Sequence, residues 1–341
     1  MTQLFTVIAA IVIFAVLIFV HEFGHFITAK LSGVRVLEFA LGMGPKLFSK
    51  KRGETVYSLR AIPIGGFCAM EGEDGGSEDE AAFSNKPAWK RFIVLVAGAV
   101  MNIILGFILL VASNGMQDAY RTTAVQDVQP GYAAEAAGIR TGDELIRVNK
   151  TRIHISSDLF WAVSRLDDKR ADFTVRRGGE KLTFTLEPKD GEPYGLSFSE
   201  EKMTAIGALR ISCYETGFYS KVILESLIDL LKGRVSVNEM SGPVGIVAEI
   251  GGAVKESVET GMAGIERLLG LTILLTINLG IFNLLPIPAL DGGRILFVLI
   301  ELVTRKKLPP EKEGIVHMIG FALLMLLAIF IAYMDVLKLF K

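Results

Sequence analysis

The residues best suited to chemistry are His21, Glu22 and His25, which follow a long apolar run from Leu4 to Val20. Two histidines four positions apart lie one turn apart on the same face of a helix, so together they can bind one metal ion. The glutamate between them is placed to act as a base on metal-bound water. Because ionisable residues are costly at membrane depth, three of them in one apolar segment predict a functional site.

A third metal ligand is expected elsewhere, because a catalytic zinc usually has three protein ligands and one open position. Asp291 is the acidic candidate, since it ends a long uncharged stretch and precedes two glycines. Pro286 and Pro288 predict a local break in the helix before it. A carboxylate at that depth needs a partner, and a zinc ion would provide one. On its own, Asp291 could instead cap a helix or bind a backbone amide.

The composition is that of a membrane protein, with 51% hydrophobic residues in 341. A net charge of -1 provides no basic field, so no nucleic acid partner is expected. The chain's two cysteines, Cys68 and Cys213, are too far apart in sequence to suggest a cysteine zinc site. Four apolar segments are long enough to cross a bilayer, which needs about 20 helical residues. The lipid bilayer is therefore the first expected partner.

Basic residues in the flanking loops predict the orientation of these segments. They cluster in the loops between spans one and two and between spans three and four, which should therefore be cytoplasmic. This places the metal site near the cytoplasmic leaflet. The predicted order is transmembrane helix 1 (1–30), a cytoplasmic loop (31–91), transmembrane helix 2 (92–116), an extracytoplasmic domain (117–195), an extracytoplasmic linker with an amphipathic helix (196–265), transmembrane helix 3 (266–300), a cytoplasmic loop (301–314) and transmembrane helix 4 (315–341).

The first cytoplasmic loop has a pattern of its own. Residues 34–40 and 54–59 alternate like strands, and the run 61–70 is apolar and rich in glycine and proline. A β-hairpin that dips back into the membrane is plausible, provided that it lies against protein or a wet cavity. The following segment, Glu71 to Glu80, is typical of a solvated acidic linker.

The extracytoplasmic domain alternates short strands with short helices. A helix over Ala133 to Ala137 should end at Gly138, and a hairpin should form around Gly178 and Gly179. The stretch Pro130 to Ile153 resembles a PDZ domain in its bacterial, circularly permuted arrangement. The predicted fold is thus a polytopic α-helical membrane protein with four transmembrane helices, a membrane-associated β-hairpin and one inserted extracytoplasmic PDZ domain of α+β type.

Taken together, these motifs resemble the site-2 protease family of intramembrane zinc metalloproteases, over nearly the whole chain. The resemblance rests on the first-span motif from His21 to His25, the string from Phe282 to Gly293, and the four-span layout with its PDZ domain. Gly242 to Ile246 and Ala40 to Phe48 also fit the family. The similarity is greatest to the bacterial branch that completes regulated intramembrane proteolysis, which implies a multi-pass protein of the bacterial inner membrane.

The resemblance implies one Zn²⁺ bound by His21, His25 and Asp291, with Glu22 as general base. It implies that Asn283 positions the substrate backbone, although Asn283 could simply hydrogen-bond another helix. It also implies that the cytoplasmic hairpin pairs with an unwound substrate strand, for which the candidate residues are Gly65, Gly66 and Phe67. Substrates would be single-span membrane proteins, such as anti-sigma factors or remnant signal peptides, that a site-1 protease has already cut.

Two other functions remain open from the residues themselves. A transporter or zinc-binding membrane protein would need the ligands but would not need Glu22 between them. A PDZ scaffold that tethers partners at the membrane would leave His21, His25 and Asp291 unexplained. His317 is expected to pack at an interface, and Asn102 receives no role. The position of the PDZ domain suggests a size filter that excludes untrimmed substrates.

Overall fold

The computed structural model describes residues 2–73, 75, 77–166, 168–189, 192–235, 242–307 and 310–339. The chain divides into two compact units, one formed by Met1–Leu109 with Ser220–Lys341 and the other by Leu110–Tyr219. Among the described residues, four helical segments are long and apolar enough to cross a membrane, which supports the membrane-protein class. They are Gln3–Leu31, Ala88–Gly115, Met262–Asn283 and Lys312–Lys338.

Helix α1 (Thr2–Leu31) runs through the apolar segment and the histidine motif without a break. Its 30 residues cover about 45 Å at the usual rise of about 1.5 Å per residue. The motif therefore lies in the second half of a regular helix, where the spacing of the histidines puts both side chains on one face.

Strands β1 (Val36–Arg52) and β2 (Thr55–Met70) form the antiparallel sheet expected in the first loop, but both strands are longer than predicted. Each strand bends back, so residues 38–41 pair with 56–59 on one side and with 66–69 on the other. Within the described residues, the last part of β2 pairs on one side only. This segment is therefore an edge of the sheet with backbone groups available for another strand.

Among its described residues, the acidic segment 71–80 forms ion pairs with the rest of the fold, which the expectation of a solvated linker did not include. Asp79 forms an ion pair with Arg35, and Glu73 forms one with Arg294. The sequence could not show these partners, because both arginines come close to the segment only through the fold.

Helix α2 (Ala88–Gly115) follows and contains the second apolar stretch.

The second unit contains an antiparallel sheet with short helices. Its strands follow the order β7-β6-β4-β3-β8, with β5 paired to β4. The helix ended by Gly138 and the hairpin around Gly178 and Gly179 are confirmed. In chain order the elements are β3 (Ala119–Val128), α3 (Ala133–Ala137), β4 (Glu144–Val148), β5 (Thr151–Arg152), α4 (Ser156–Ser164), β6 (Ala171–Arg177), β7 (Glu180–Leu186) and β8 (Leu196–Lys202).

Strand β8 corrects the predicted boundary at residue 195. It pairs with β3, from Ala119 opposite Lys202 to Val128 opposite Leu196, so the sheet continues into the segment that was assigned to a linker. The polar sequence of β8 gives it a weak strand signal. Backbone pairing with β3 stabilises this strand although its side chains give little indication of one.

The C-terminal half is helical, and it differs from the predicted layout at two points. The predicted third span is two helices, separated by the segment 284–290 with its two prolines. A further helix, α6, occupies a part of the predicted linker, where two adjacent glycines weaken the helical signal. The helices are α5 (Ala205–Leu231), α6 (Pro243–Thr260), α7 (Met262–Asn283), α8 (Asp291–Thr304) and α9 (Pro310–Leu339).

Tertiary burial explains why α6 forms. Ile250 and Val254 of α6 are buried in one cluster with Ala10, Ile13 and Leu17 of α1. Most helical stability in proteins comes from such contacts rather than from intrinsic propensity. The cluster also fixes the first half of α1, on which the histidine motif depends.

Candidate metal centre

Helix α1 presents His21 and His25 as a pair of buried rings. They are 8% and 6% exposed, and their ring centroids are 4.8 Å apart. Nδ1 of His25 lies 2.8 Å from the carbonyl oxygen of Val94 on α2. A carbonyl only accepts, so Nδ1 of His25 carries a proton, and in the neutral ring that a metal ligand must be, Nε2 keeps its lone pair.

Asn102 of α2 plays the corresponding part for His21, a role that the sequence analysis did not assign to it. Its amide nitrogen lies 3.3 Å from Nδ1 of His21, while its buried Oδ1 has no hydrogen-bond partner among the described residues. Rotation of the amide by 180° would exchange these two atoms, and Oδ1 would then accept the Nδ1 proton of His21. Both groups would be satisfied, and Nε2 of His21 would also keep its lone pair.

Asp291 completes a triangle of potential ligand atoms. Its Oδ2 is 3.1 Å from Nε2 of His21 and 3.2 Å from Nε2 of His25, and the two Nε2 atoms are 3.2 Å apart. Ligands about 2.0–2.1 Å from a tetrahedral zinc are about 3.3 Å from one another. The triangle therefore has the dimensions that a zinc site requires.

The lone pairs of these three atoms face one another, and a bound cation would stabilise this arrangement. If both rings are neutral and carry their proton on Nδ1, the three atoms of the triangle are all acceptors and would repel one another without a cation. Consistent with this, the buried Oδ2 of Asp291 has no hydrogen-bond donor within the described chain. Among the same residues, this is the cluster of histidine and acidic side chains that could hold a metal ion. The donor set of two imidazoles and one carboxylate suits zinc.

Gly98 of α2 makes room for the two imidazoles. A Cβ atom at this position would overlap Nε2 of His25 and lie 2.8 Å from Cε1 of His21. Glycine is thus required by the close approach of α2 to the ligands. The sequence held no signal for this contact, because the residues that meet lie more than 70 positions apart.

A cavity of about 530 Å³ opens beside the triangle. Glu22 lines it together with the three potential ligands and with residues 67–70 of the β2 edge. A Cβ atom at Gly66 would lie 3.4 Å from Cγ of Glu22, so the backbone of the edge strand passes close to the proposed base. This cavity is therefore lined by a carboxylate, by the candidate metal ligands and by the edge of a strand.

The remaining predicted residues lie close by. Asn283, the last residue of α7, has its amide nitrogen 3.5 Å from Nε2 of His21. Phe67 lines the cavity, and the guanidinium carbon of Arg60 is 4.8 Å from the centre of its ring. Gly65 precedes Gly66 in the same strand and has a φ of +90°, a conformation that favours glycine.

Two buried histidines and a half-buried aspartate on apolar helices are potential metal ligands, and together with the glutamate beside them they indicate a membrane metallopeptidase as the class of protein. The model of Peptidase family M50 matches residues 9–327, and the chain belongs to this family. The match confirms the resemblance to the site-2 proteases.

Curated relatives align with this chain over nearly its full length. A Clostridium acetobutylicum relative is 36% identical over 338 residues, which cover 97% of each chain. The regulator of sigma-W protease RasP of Bacillus subtilis is 31% identical over 425 aligned residues, which cover 98% of this chain and 99% of RasP. The zinc metalloprotease RasP of Bacillus licheniformis is 32% identical over 424, which cover 98% and 99%.

Proposed function

We propose that this membrane zinc metalloprotease hydrolyses peptide bonds within the transmembrane segments of single-span proteins. The observation that carries the proposal is the triangle of His21, His25 and Asp291, which lies next to Glu22 in a cavity lined by a strand edge. A metal site alone would need only the triangle. The glutamate and the edge are what a peptide substrate requires.

His21, His25 and Asp291 would hold the zinc ion. When bound, the ion would make a water molecule more acidic and polarise the scissile carbonyl. The carboxylate of Glu22 would accept the proton of the attacking water and pass it to the leaving amine. Asn283, whose amide lies beside His21, would orient the substrate backbone by hydrogen bonding.

Intramembrane proteolysis also requires that the substrate helix is unwound, and the β2 edge would bind the unwound segment. A helical peptide bond is shielded by its own hydrogen bonds, so the substrate must become extended before it can be attacked. Residues Gly65 to Phe67 would pair with the unwound segment by β-augmentation. The close approach of Gly66 to Glu22 would then bring a substrate carbonyl near the base.

The second unit would be the extracytoplasmic PDZ domain of a bacterial inner-membrane protein, with the metal site toward the cytoplasm. It would act as a size filter, so substrates would need prior cutting by a site-1 protease. Anti-sigma factors are suitable candidates, in keeping with the name of the Bacillus subtilis relative. Replacing residues 119–202 by a flexible linker should speed up cleavage of an untrimmed substrate. Unchanged slow cleavage would contradict the filter.

The main test compares Glu22→Gln with the wild type on a tagged single-span substrate in detergent. We expect cleavage to fall by about 10²–10⁴-fold, which is the usual contribution of general acid–base catalysis, while bound zinc is unchanged. Glu266→Gln removes an exposed carboxylate from α7 and serves as the matched control. Equal cleavage by the Glu22→Gln and wild-type proteins would favour a zinc-binding protein without this mechanism.

A further inference from the structure

The segment between α7 and α8 contains an unusual backbone conformation close to Asp291. Ala289 has a φ of +77°, which lies in the left-handed region. Residues with a Cβ atom rarely adopt this region, and they do so where the surrounding structure imposes it. The N–H of Leu290 donates a hydrogen bond to the carbonyl of Ile287, which closes a local turn with Ala289 at its third position. A contact from outside the segment would add to this local support, two residues before the proposed ligand.

His317 of α9 provides such a contact. The backbone N–H of Ala289 donates a hydrogen bond to Nδ1 of His317, with a distance of 2.9 Å. The ring of His317 also meets the ring of Phe297 edge to face, with centroids 5.6 Å apart. Phe297 belongs to α8, the helix that begins with Asp291. One side chain of α9 therefore touches both the strained segment and the helix that bears the ligand.

Gly320 supplies a second contact, one turn further along α9. A Cβ atom at Gly320 would overlap Cβ of Pro288 and lie 2.8 Å from the carbonyl oxygen of Pro288. The helix backbone thus lies directly against the residue before Ala289. A hydrogen bond and a close backbone contact fix two adjacent residues of the segment, and they do so from the same helix.

We infer that His317 is a positioning residue for the zinc site, and that it acts through the backbone of Ala289 on the placement of Asp291. The inference rests on the proposed function, since it assumes that Asp291 binds zinc. A side chain that orients a metal ligand contributes to metal affinity even though it does not touch the metal. The fourth candidate span would then support the ligand loop as well as cross the membrane.

Two substitutions of His317 separate positioning from mere filling of space. The amide oxygen of asparagine can take the place of Nδ1 as hydrogen-bond acceptor, whereas leucine keeps the bulk and loses the acceptor. The full-length protein in detergent would be tested by chelator competition for Zn²⁺ and by the visible spectrum of the Co²⁺-substituted form. Met318→Ala, which changes an exposed neighbour on α9, is the matched control.

We expect His317→Leu to weaken zinc binding by roughly tenfold, the lower end of the range for residues that orient ligands, and to alter the Co²⁺ spectrum. His317→Asn should stay close to the wild type in both measurements. If both variants bind zinc like the wild type, or if both lose it equally, His317 is not a positioning residue. Thermal unfolding of each variant separates a local change from a loss of folding.

Gly320→Ala keeps the inference testable if His317→Leu does not fold. This substitution would displace Pro288 from its contact with α9, so it should also change the Co²⁺ spectrum, and an unchanged spectrum would contradict the role of α9. Failure of the wild-type protein itself to bind one zinc ion at the triangle would overturn the proposed function instead. The two failures can thus be distinguished.

Discussion

The candidate metal site joins two regions that are built in different ways. On the α1 side, regular helical spacing places His21 and His25 next to each other, and their positions follow from the local sequence. On the α8 side, Asp291 follows a segment with two prolines and a left-handed Ala289, and a distant helix, α9, contacts this segment. The comparison shows that two of three potential ligands can be preorganised by the local sequence, while the third depends on distant contacts.

The largest effect should come from removing one ligand from each region. We expect both His25→Ala and Asp291→Ala to lower zinc affinity by more than the ~100-fold that the loss of a merely orienting residue can cost. His25→Ala should lose more, because Asp291→Ala leaves two preorganised ligands on one rigid helix. Chelator competition on the purified proteins measures the order. If Asp291→Ala were the weaker binder, the loop side would contribute more to preorganisation than α1 does.

The second prediction concerns the support of His21 by Asn102. Asn102→Leu removes the acceptor that would fix the tautomer of His21, so zinc affinity should fall by roughly 10–100-fold. The matched control is Asn114→Leu, which removes another buried asparagine of α2, one that hydrogen-bonds Ser212. This control should leave zinc affinity unchanged. Equal zinc affinity for Asn102→Leu and the wild type would mean that α1 alone orients His21.

The smallest effect should appear in the β1–β2 sheet, where polar contacts are local. Burial works to raise the pKa of Glu38, but hydrogen bonds from Ser58, Arg60 and Lys46 outweigh it and lower the pKa from 4.5 to about 2. Because the folded pKa lies below the unfolded value, Glu38 stabilises the sheet above about pH 4.5, and this contribution is lost as the pH falls toward 2.

Amide hydrogen exchange in residues 56–59 between pH 5 and pH 3 measures this effect. Protection, corrected for the intrinsic exchange rate, should fall with pH in the wild-type protein. In the Glu38→Gln variant, the amide protection should be lower at pH 5 and should change less with pH. The same pH dependence in both proteins would show that other groups control the sheet.

Much of the functional site could be predicted from the sequence, for a physical reason. A helix has a fixed repeat, so the spacing of His21, Glu22 and His25 specifies their relative placement once the segment is helical. Charged residues in apolar segments are rare, so Asp291 stood out as the candidate for the third ligand. The strands of the first loop and the hairpin around Gly178 also followed from their patterns.

Other features depended on contacts between residues far apart in the chain. Gly98, Asn102 and His317 carry no local signal, because each acts on a partner more than 25 positions away. Helix α6 and strand β8 form where their own sequences are weak, since burial and pairing stabilise them.

The sequence by itself determined the membrane class, the family and the chemical identity of the potential ligands, because these depend on composition and short spacings. Only the tertiary structure decided that the three potential ligand atoms form a triangle of 3.1–3.2 Å, that a strand edge borders the same cavity, and that α9 contacts the loop before Asp291. Distances between separate elements depend on how helices and strands fit together, and a local pattern holds no information about that fit.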